Sequence, residues 1–462
     1  MAKATAYPLR TYPFNQQKLT EEEIAVIFAM TSRRPEPFDE IQKLVTAEKA
    51  ADFHERWVLN YGHASVAEHA IIHMAVENLS RLAADTLEDN RLASYTEKSS
   101  RYQILPQDYF HVPQELEGTP LYETYVTACQ RLFELYGQLV DGIQAHLRTT
   151  LPQGENERDG TYNVRLRREA TDSCRFVLPS AALTNVGVTL NARSMEHAVL
   201  KLLSSELAEE RTLGEELKQR GREVTPTLIK YTEPNDYLMG TRKAQQELAK
   251  PFQQPQASAA EALLIHYDPD AELKVVAAFL YKYGHRPYAE VMQHVRGMSD
   301  EERHAVIDES LSRLGSHDTP VRELESVYYT FELTMDYGAY REFKRHRMQS
   351  YMPQPSGTGL GYLTPPLMAD AGLEALFDEA MEVSQKGFDA VAGEMPVVAQ
   401  YLVTHAHRRR AITTMNLREC YHLFKLRTQP TAHFSIRQVM DQAVEQARQV
   451  HPALFKHLRL RE

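Results

Sequence analysis

The chain has little that could anchor, cross-link or announce it by a simple motif. No apolar stretch is long enough to span a bilayer, and the opening MAKATAYPLRTYPF lacks the apolar run of a secretory signal. Cysteine is scarce. Cys129, Cys174 and Cys420 show no metal-ligand spacing, and three cannot all pair within one chain. That favours a reducing cytoplasm over a disulfide scaffold. Basic excess is missing too. Lys and Arg number 52 against 63 Asp and Glu, a formal net charge of −11. General attraction to nucleic acid or an anionic membrane is therefore excluded, and any anionic ligand needs a local basic cluster. No Gly-rich loop opens a helix, so neither a P-loop nor a dinucleotide-binding βαβ unit is supported.

What is present is a faint pattern written twice. Thr189-Leu190-Asn191-Ala192-Arg193 is followed by His197, and Thr414-Met415-Asn416-Leu417-Arg418 by His422. Upstream stands an Arg-x-x-Ser-Tyr in each case: Arg91, Ser94, Tyr95 and Arg347, Ser350, Tyr351. The chain reads as a tandem duplication. At 462 residues, with 43% hydrophobic and 25% charged, it suits two soluble domains of roughly 200 residues each. The expected boundaries are 1–250 and 259–462, joined by a Pro- and Gln-rich linker at 251–258.

Local patterns predict long helices mixed with short strands, an α+β chain. Thr20 before Glu21, Glu22 and Glu23 marks a helix start. Ser65 to Glu68 fits a capping box opening a helix through Ala84. Helices are also expected over 121–151, from about 161 through 173, over 194–214, 272–283, 288–297, 300–314, 327–344, 373–392 and 417–425. Val186 to Leu190 suits a strand.

Three clusters could carry chemistry. Lys344-Arg345-His346-Arg347, at an expected helix end, could hold a phosphate through guanidinium forks; a solvated surface run is the alternative. In the first copy the corresponding stretch is Asp89-Asn90-Arg91, where an acid would repel an anion. That copy instead has Glu97, Ser99, Ser100, Arg101 and Tyr102, suited to a sugar hydroxyl and an anion, or to ordinary turn chemistry. His405, His407 and Arg408 to Arg410 read as a solvated basic face rather than a metal site.

Taken together the motifs resemble the flavin-dependent thymidylate synthases (ThyX). The family pattern is a Gly-His-x-Ser…Glu-His element, Arg-His-Arg, Ser-Tyr, a Glu-x-Ser-x-Arg-Tyr loop, Arg-x-Val-Leu-Pro, Asn-Ala-Arg-Ser, and a later Arg on the same helix. The first copy is similar at Gly62, His63, Ser65, Glu68, His69, Arg91, Ser94, Tyr95, Glu97, Ser99, Arg101, Tyr102, Arg175, Val177, Leu178, Pro179, Asn191, Ala192, Arg193 and Ser194. The second is similar at Thr330, Phe331, Arg345, His346, Arg347, Ser350, Tyr351, Asn416, Arg418, His422 and Arg427.

The resemblance implies two tandem ThyX-like domains, each with long helices on a mixed sheet. It implies an enzyme that methylates dUMP to dTMP with methylenetetrahydrofolate, NADPH and bound FAD. It also implies composite sites between copies, a homodimer forming a pseudo-tetramer, no metal, and no nucleic-acid or membrane partner. Carried over residue by residue, Arg427 would polarise the uracil ring. Arg345, Glu97, Ser99, Ser100, Arg101 and Arg175 would bind dUMP. Ser65, Arg345, His346, Arg347, Asn416, Arg418, His422, Asn191, Arg193 and His197 would hold flavin.

The copies have lost complementary parts. Asp89 and Leu202 replace two arginines in the first; Pro353, Pro355, Gly357 and Gln400 replace the loop and the other Arg in the second. One composite site then keeps its chemistry and the other is dead or repurposed. Glu342 stands where the family has Gln. It favours a flavoenzyme for another pyrimidine, and the losses favour a non-catalytic nucleotide- or flavin-binding protein.

Overall fold

A computed structural model describes residues 10–14, 18–258 and 260–460. The start of the apolar-poor N-terminus, residue 259 where the second copy is expected to open, and the last two residues lie outside them. The chain forms two compact units. Unit 1 comprises Met1–Lys98, Pro113–Glu117 and Leu183–Pro251; unit 2 comprises Ser99–Val112, Gly118–Ala182 and Phe252–Glu462.

Among its described residues unit 1 is built on three antiparallel strands: β1 (Ile71–Ser80), β2 (Ala93–Glu97) and β3 (Leu183–Asn191), in the order β1-β3-β2. Strand β3 alternates, burying Val186, Val188 and Leu190. These meet Ile72, Met74 and Val76 of β1 and the apolar face of helix Ala192–Leu203. The helix expected over 65–84 is therefore corrected. Residues Ala64–His69 make a 3₁₀ turn without a side-chain cap, β1 follows, and only Arg81–Leu87 is α-helical. The alternation of Ile72, Met74 and Val76 was the strand signal, and pairing with β3 satisfies its backbone. At the start of the unit Thr20 does form a capping box with Glu23. The single helix expected over 194–214 breaks at residues 204–207, where Ser204 caps the first part and Leu207 opens Ala208–Val224.

Among its described residues unit 2 carries four strands: β4 (Ala262–Tyr267), β5 (Tyr328–Asp336), β6 (Gln349–Pro353) and β7 (Arg408–Asn416), in the order β4-β5-β7-β6. Every pairing is antiparallel in both sheets. The sheets are thus antiparallel rather than mixed, because β5 and β6, which run the same way, are separated by β7. The helix expected over 327–344 is a strand followed by the short helix Tyr337–Phe343. Tyr329, Phe331, Leu333 and Met335 alternate inward, a period of two.

The duplication is visible in the register. Ser94 and Tyr95 pair with Thr189 and Val188; Ser350 and Tyr351 pair with Thr414 and Thr413. The two motifs of each repeat, far apart in sequence, are neighbouring strands. On the opposite side, His73 bonds Thr189 in one sheet and Thr330 bonds Thr414 in the other, each at 2.9 Å.

Unit 2 also holds the long helices Leu121–Thr150 and Glu374–Ala392. They approach closely at two glycines. A Cβ on Gly387 would lie 3.1 Å from the Ala128 Cβ, and one on Gly142 would lie 2.8 Å from a Leu373 methyl. Leu132, Phe133, Leu139, Phe377 and Met381 fill the core around them.

Candidate functional site

In the second copy, Asn416 ends β7 and caps helix Leu417–Arg427, its Oδ1 accepting from the Glu419 N at 2.9 Å. Arg418, Glu419, His422 and Lys425 of this helix line one cavity, and Arg427 stands at the helix's C-terminal end. The basic cluster arrives from the end of helix Tyr337–Phe343, with Lys344 and His346 buried and Arg345 and Arg347 exposed.

The two segments lock through side chains. The Arg427 Nε donates to His346 Nε2 at 3.0 Å. An arginine can only donate, so Nε2 is unprotonated and Nδ1 carries the proton. That proton faces Glu419 Oε1 at 3.0 Å. The Arg427 Nη1 also pairs with Glu342 Oε2 at 3.1 Å. Burial, with the Arg427 charge behind it, drives His346 down to about 3, so it is neutral at physiological pH. Burial pushes the Glu419 carboxyl up to about 7, against the pull of His422 and Arg418. Burial also lowers Arg427, Glu342 opposing.

His346, Glu419 and His422 bring ligand-type atoms within 4.8 Å of one another. The donation from Arg427 leaves the proton on the His346 nitrogen that faces Glu419, so that nitrogen has no lone pair for a cation.

Beside this chain of bonds lies a cavity of about 340 Å³ lined by Asp318, Asn416, Arg418, Glu419, His422 and Lys425, among others. Arg418 is held by the Pro320 carbonyl at 2.8 Å and by Glu325 at 2.7 Å. The segment His317-Asp318-Thr319, a faint echo of the Gly-His-x-Ser element, lines the same cavity.

The first-copy loop residues also lie in unit 2. Arg101 Nη2 donates to Asp172 Oδ2 at 3.0 Å, and Arg175 Nη2 sits 3.2 Å from Asp172 Oδ1. Ser99 Oγ accepts from the Arg101 N, Ser100 is buried, and Thr171 Oγ1 donates to the Arg101 carbonyl, so the loop is pinned. Burial lowers Arg175, while Asp172, Glu342 and Asp336 pull it up. Arg175 and Arg427 therefore share the field of one carboxylate, Glu342. Asp336, wholly buried, caps helix Tyr337–Phe343 through the Ala339 N and is pushed up to about 6 by burial.

Unit 1 holds the other candidates. Glu97 forms a buried ion pair with Arg81 at 2.9 Å, both side chains under 4% exposed. Asn191 caps its helix through the Ser194 N at 2.8 Å. Arg193 pairs with Glu68, and His197 stands exposed one turn further along. Ser65 lines a separate cavity of about 340 Å³ with Arg33, Trp57, His63, Glu68 and His69. Asp89 accepts an ion pair from Lys201, and Leu202, at the position of Arg427, is fully buried in the core.

Sequence reasoning passed over Glu419, Asp172, Asp336 and Arg81. The exchange of Ser194 for Glu419 between copies was the one visible signal. The basic face expected at His405 and His407 is corrected: both are buried, and His407 Nδ1 bonds the Thr404 hydroxyl at 2.8 Å. Arg408 and Arg410 are paired with Glu261 and Glu332. The three cysteines are free and buried. No helix among the described residues is long and apolar enough to cross a membrane.

Comparison with known proteins agrees with the repeated architecture. The family model described as thymidylate synthase complementing protein matches twice, at residues 16–227 and 263–453. A UPF0159 protein of Chlamydia muridarum is 32% identical over 430 residues, covering 89% of this chain and 81% of the relative. One of Thermoplasma acidophilum is 28% identical over 447 residues, 88% of each. A flavin-dependent thymidylate synthase of Thermococcus onnurineus is 32% identical over 155 residues, 32% of this chain and 53% of that enzyme. The chain belongs to the thymidylate synthase complementing protein (ThyX) family, as a tandem pair of its domains.

Proposed function

We propose that the chain is an enzyme methylating dUMP to dTMP, with methylenetetrahydrofolate as one-carbon donor, NADPH as reductant and FAD as bound cofactor. The observation that carries the reading is the company the surviving residues keep. Ser99, Ser100, Arg101 and Arg175 of the first copy share one compact unit with Arg345 and Arg427 of the second. Their counterparts Asp89 and Leu202 are engaged in an ion pair and in core packing.

In this reading Arg101, Arg175 and Arg345 bind the nucleotide with Ser99 and Ser100, and Arg427 stabilises negative charge on the pyrimidine ring. The residues around the second-copy cavity fit a flavin. Asn416 and His422 offer hydrogen bonds, Arg418 and Lys425 positive charge, and about 340 Å³ lies within the range of small-molecule sites. Arg347, with His346 next to it in the chain, would complete the flavin-holding set. Bound FAD would supply the hydride. Glu97, at the end of β2, would be held by Arg81, and Ser65, Asn191, Arg193 and His197 would belong to the second class of site. A homodimer forming a pseudo-tetramer, and a cytoplasmic location, complete the proposal.

A second reading has one observation in its favour. Arg427 is already paired with Glu342, a carboxylate that disfavours a phosphate beside it and suits a different pyrimidine. Visible absorption of the purified protein with FAD, then with dUMP, separates them. A flavin band that shifts with dUMP supports dTMP synthesis; a flavin band indifferent to dUMP supports another substrate. Arg427→Ala is expected to abolish turnover while flavin stays bound, and Arg193→Ala to leave turnover intact. Full activity in Arg427→Ala would sink the assignment.

A further inference from the structure

Four residues form an unbroken chain of side-chain bonds in the second copy: Glu342 to Arg427 to His346 to Glu419. The matching positions of the first copy are Thr86, Leu202, Asn90 and Ser194. Not one member survives there. Residues that disappear together from one repeat and stay bonded together in the other act as a unit. The outermost, Glu419, matches nothing in the family pattern, which has Ser at that position. Its side chain is 5% exposed and that of His346 is 3% exposed. An acceptor oxygen of Glu419 facing the His346 Nδ1–H selects that tautomer, which alone leaves Nε2 able to accept from Arg427.

We infer that Glu419 is a positioning residue: acting through His346, it holds the Arg427 guanidinium in the orientation seen here. Its effect on turnover rests on the reading of Arg427 proposed above; its effect on His346 does not. Without Glu419 the imidazole is free to turn its proton toward Arg427, where two donors collide and the guanidinium must swing away.

The test uses the full-length protein labelled with ¹⁵N-histidine. In the wild type the His346 imidazole is expected to stay neutral with Nδ1 protonated from pH 5 to 8; an Nε2–H pattern would overturn the inference whatever the variants do. Glu419→Ser is expected to abolish the fixed Nδ1–H pattern, and Glu419→Gln, which keeps an acceptor oxygen, to retain it. An unchanged pattern in Glu419→Ser refutes the inference. In turnover, Glu419→Ser is expected to lose tenfold or more in kcat with KM for the nucleotide within about twofold, and Glu419→Gln to recover most of it. Equal losses in the two variants also refute it. If Arg427→Ala keeps its turnover, the functional reading fails while the His346 result still decides the role of Glu419.

Discussion

The ion pair of Arg81 with Glu97 offers a quantitative test of how the end of β2 is held. The Arg81 Nη1 lies 2.9 Å from Glu97 Oε1, and the side chains are 1% and 3% exposed. Arg81→Met keeps most of the aliphatic volume and removes the Arg81 charge from a Glu97 carboxylate sealed from water. Removing one partner of a buried pair costs roughly 3–5 kcal/mol, because the survivor keeps its desolvation penalty without its counter-charge. For a domain of this size about 1 kcal/mol moves the melting temperature by roughly 2–4 °C. Arg81→Met should therefore lower the melting temperature by roughly 10 °C. The double variant Arg81→Met with Glu97→Met removes both charges and should regain most of that loss, since an apolar pair of similar volume is often neutral or better. Differential scanning calorimetry of the wild type, both single variants and the double variant completes the cycle. If Arg81→Met melts within about 2 °C of the wild type, or the double variant melts lower than both singles, the pair is not the buried support described here.

Two further outcomes follow from packing and titration. Gly387→Leu forces a side chain into the crossing with Ala128 and Leu402; overpacking of this kind costs about 1–3 kcal/mol, readable as a lowered urea midpoint. Asp336 has its folded-state value raised to about 6 from 3.8, so its contribution favours folding below about pH 4 and is lost as pH rises through 6. Asp336→Asn keeps the helix cap. It should match the wild type near pH 4 and exceed it at pH 8, by up to about 3 kcal/mol for a two-unit shift. Equal stability of the two proteins across that range would show that the carboxyl is not strained by burial.

The sequence by itself determined the duplication, the list of residues each copy kept, and the long amphipathic helices such as Leu121–Thr150 and Glu374–Ala392. These are local or repetitive signals: a helix writes its period into consecutive residues, and a repeat writes itself twice. Tertiary structure decided between strand and helix for 71–80 and 328–336, whose alternation allowed a strand. Their apolar residues also satisfy a helical spacing over so short a run, and only the partner strand, more than 70 residues onward, resolves the ambiguity. It decided that His405 and His407 lie in the core although they sit in a charged stretch. It also chose the partners of the chemistry. Arg427 meets His346 and Glu342 across 81 and 85 residues, and His346 meets Glu419 across 73. No local pattern encodes such a bond, because its geometry comes from two helix ends brought together by the register of β5, β6 and β7. The identities of the charged residues were legible in the chain; which charge answers which was settled by the fold.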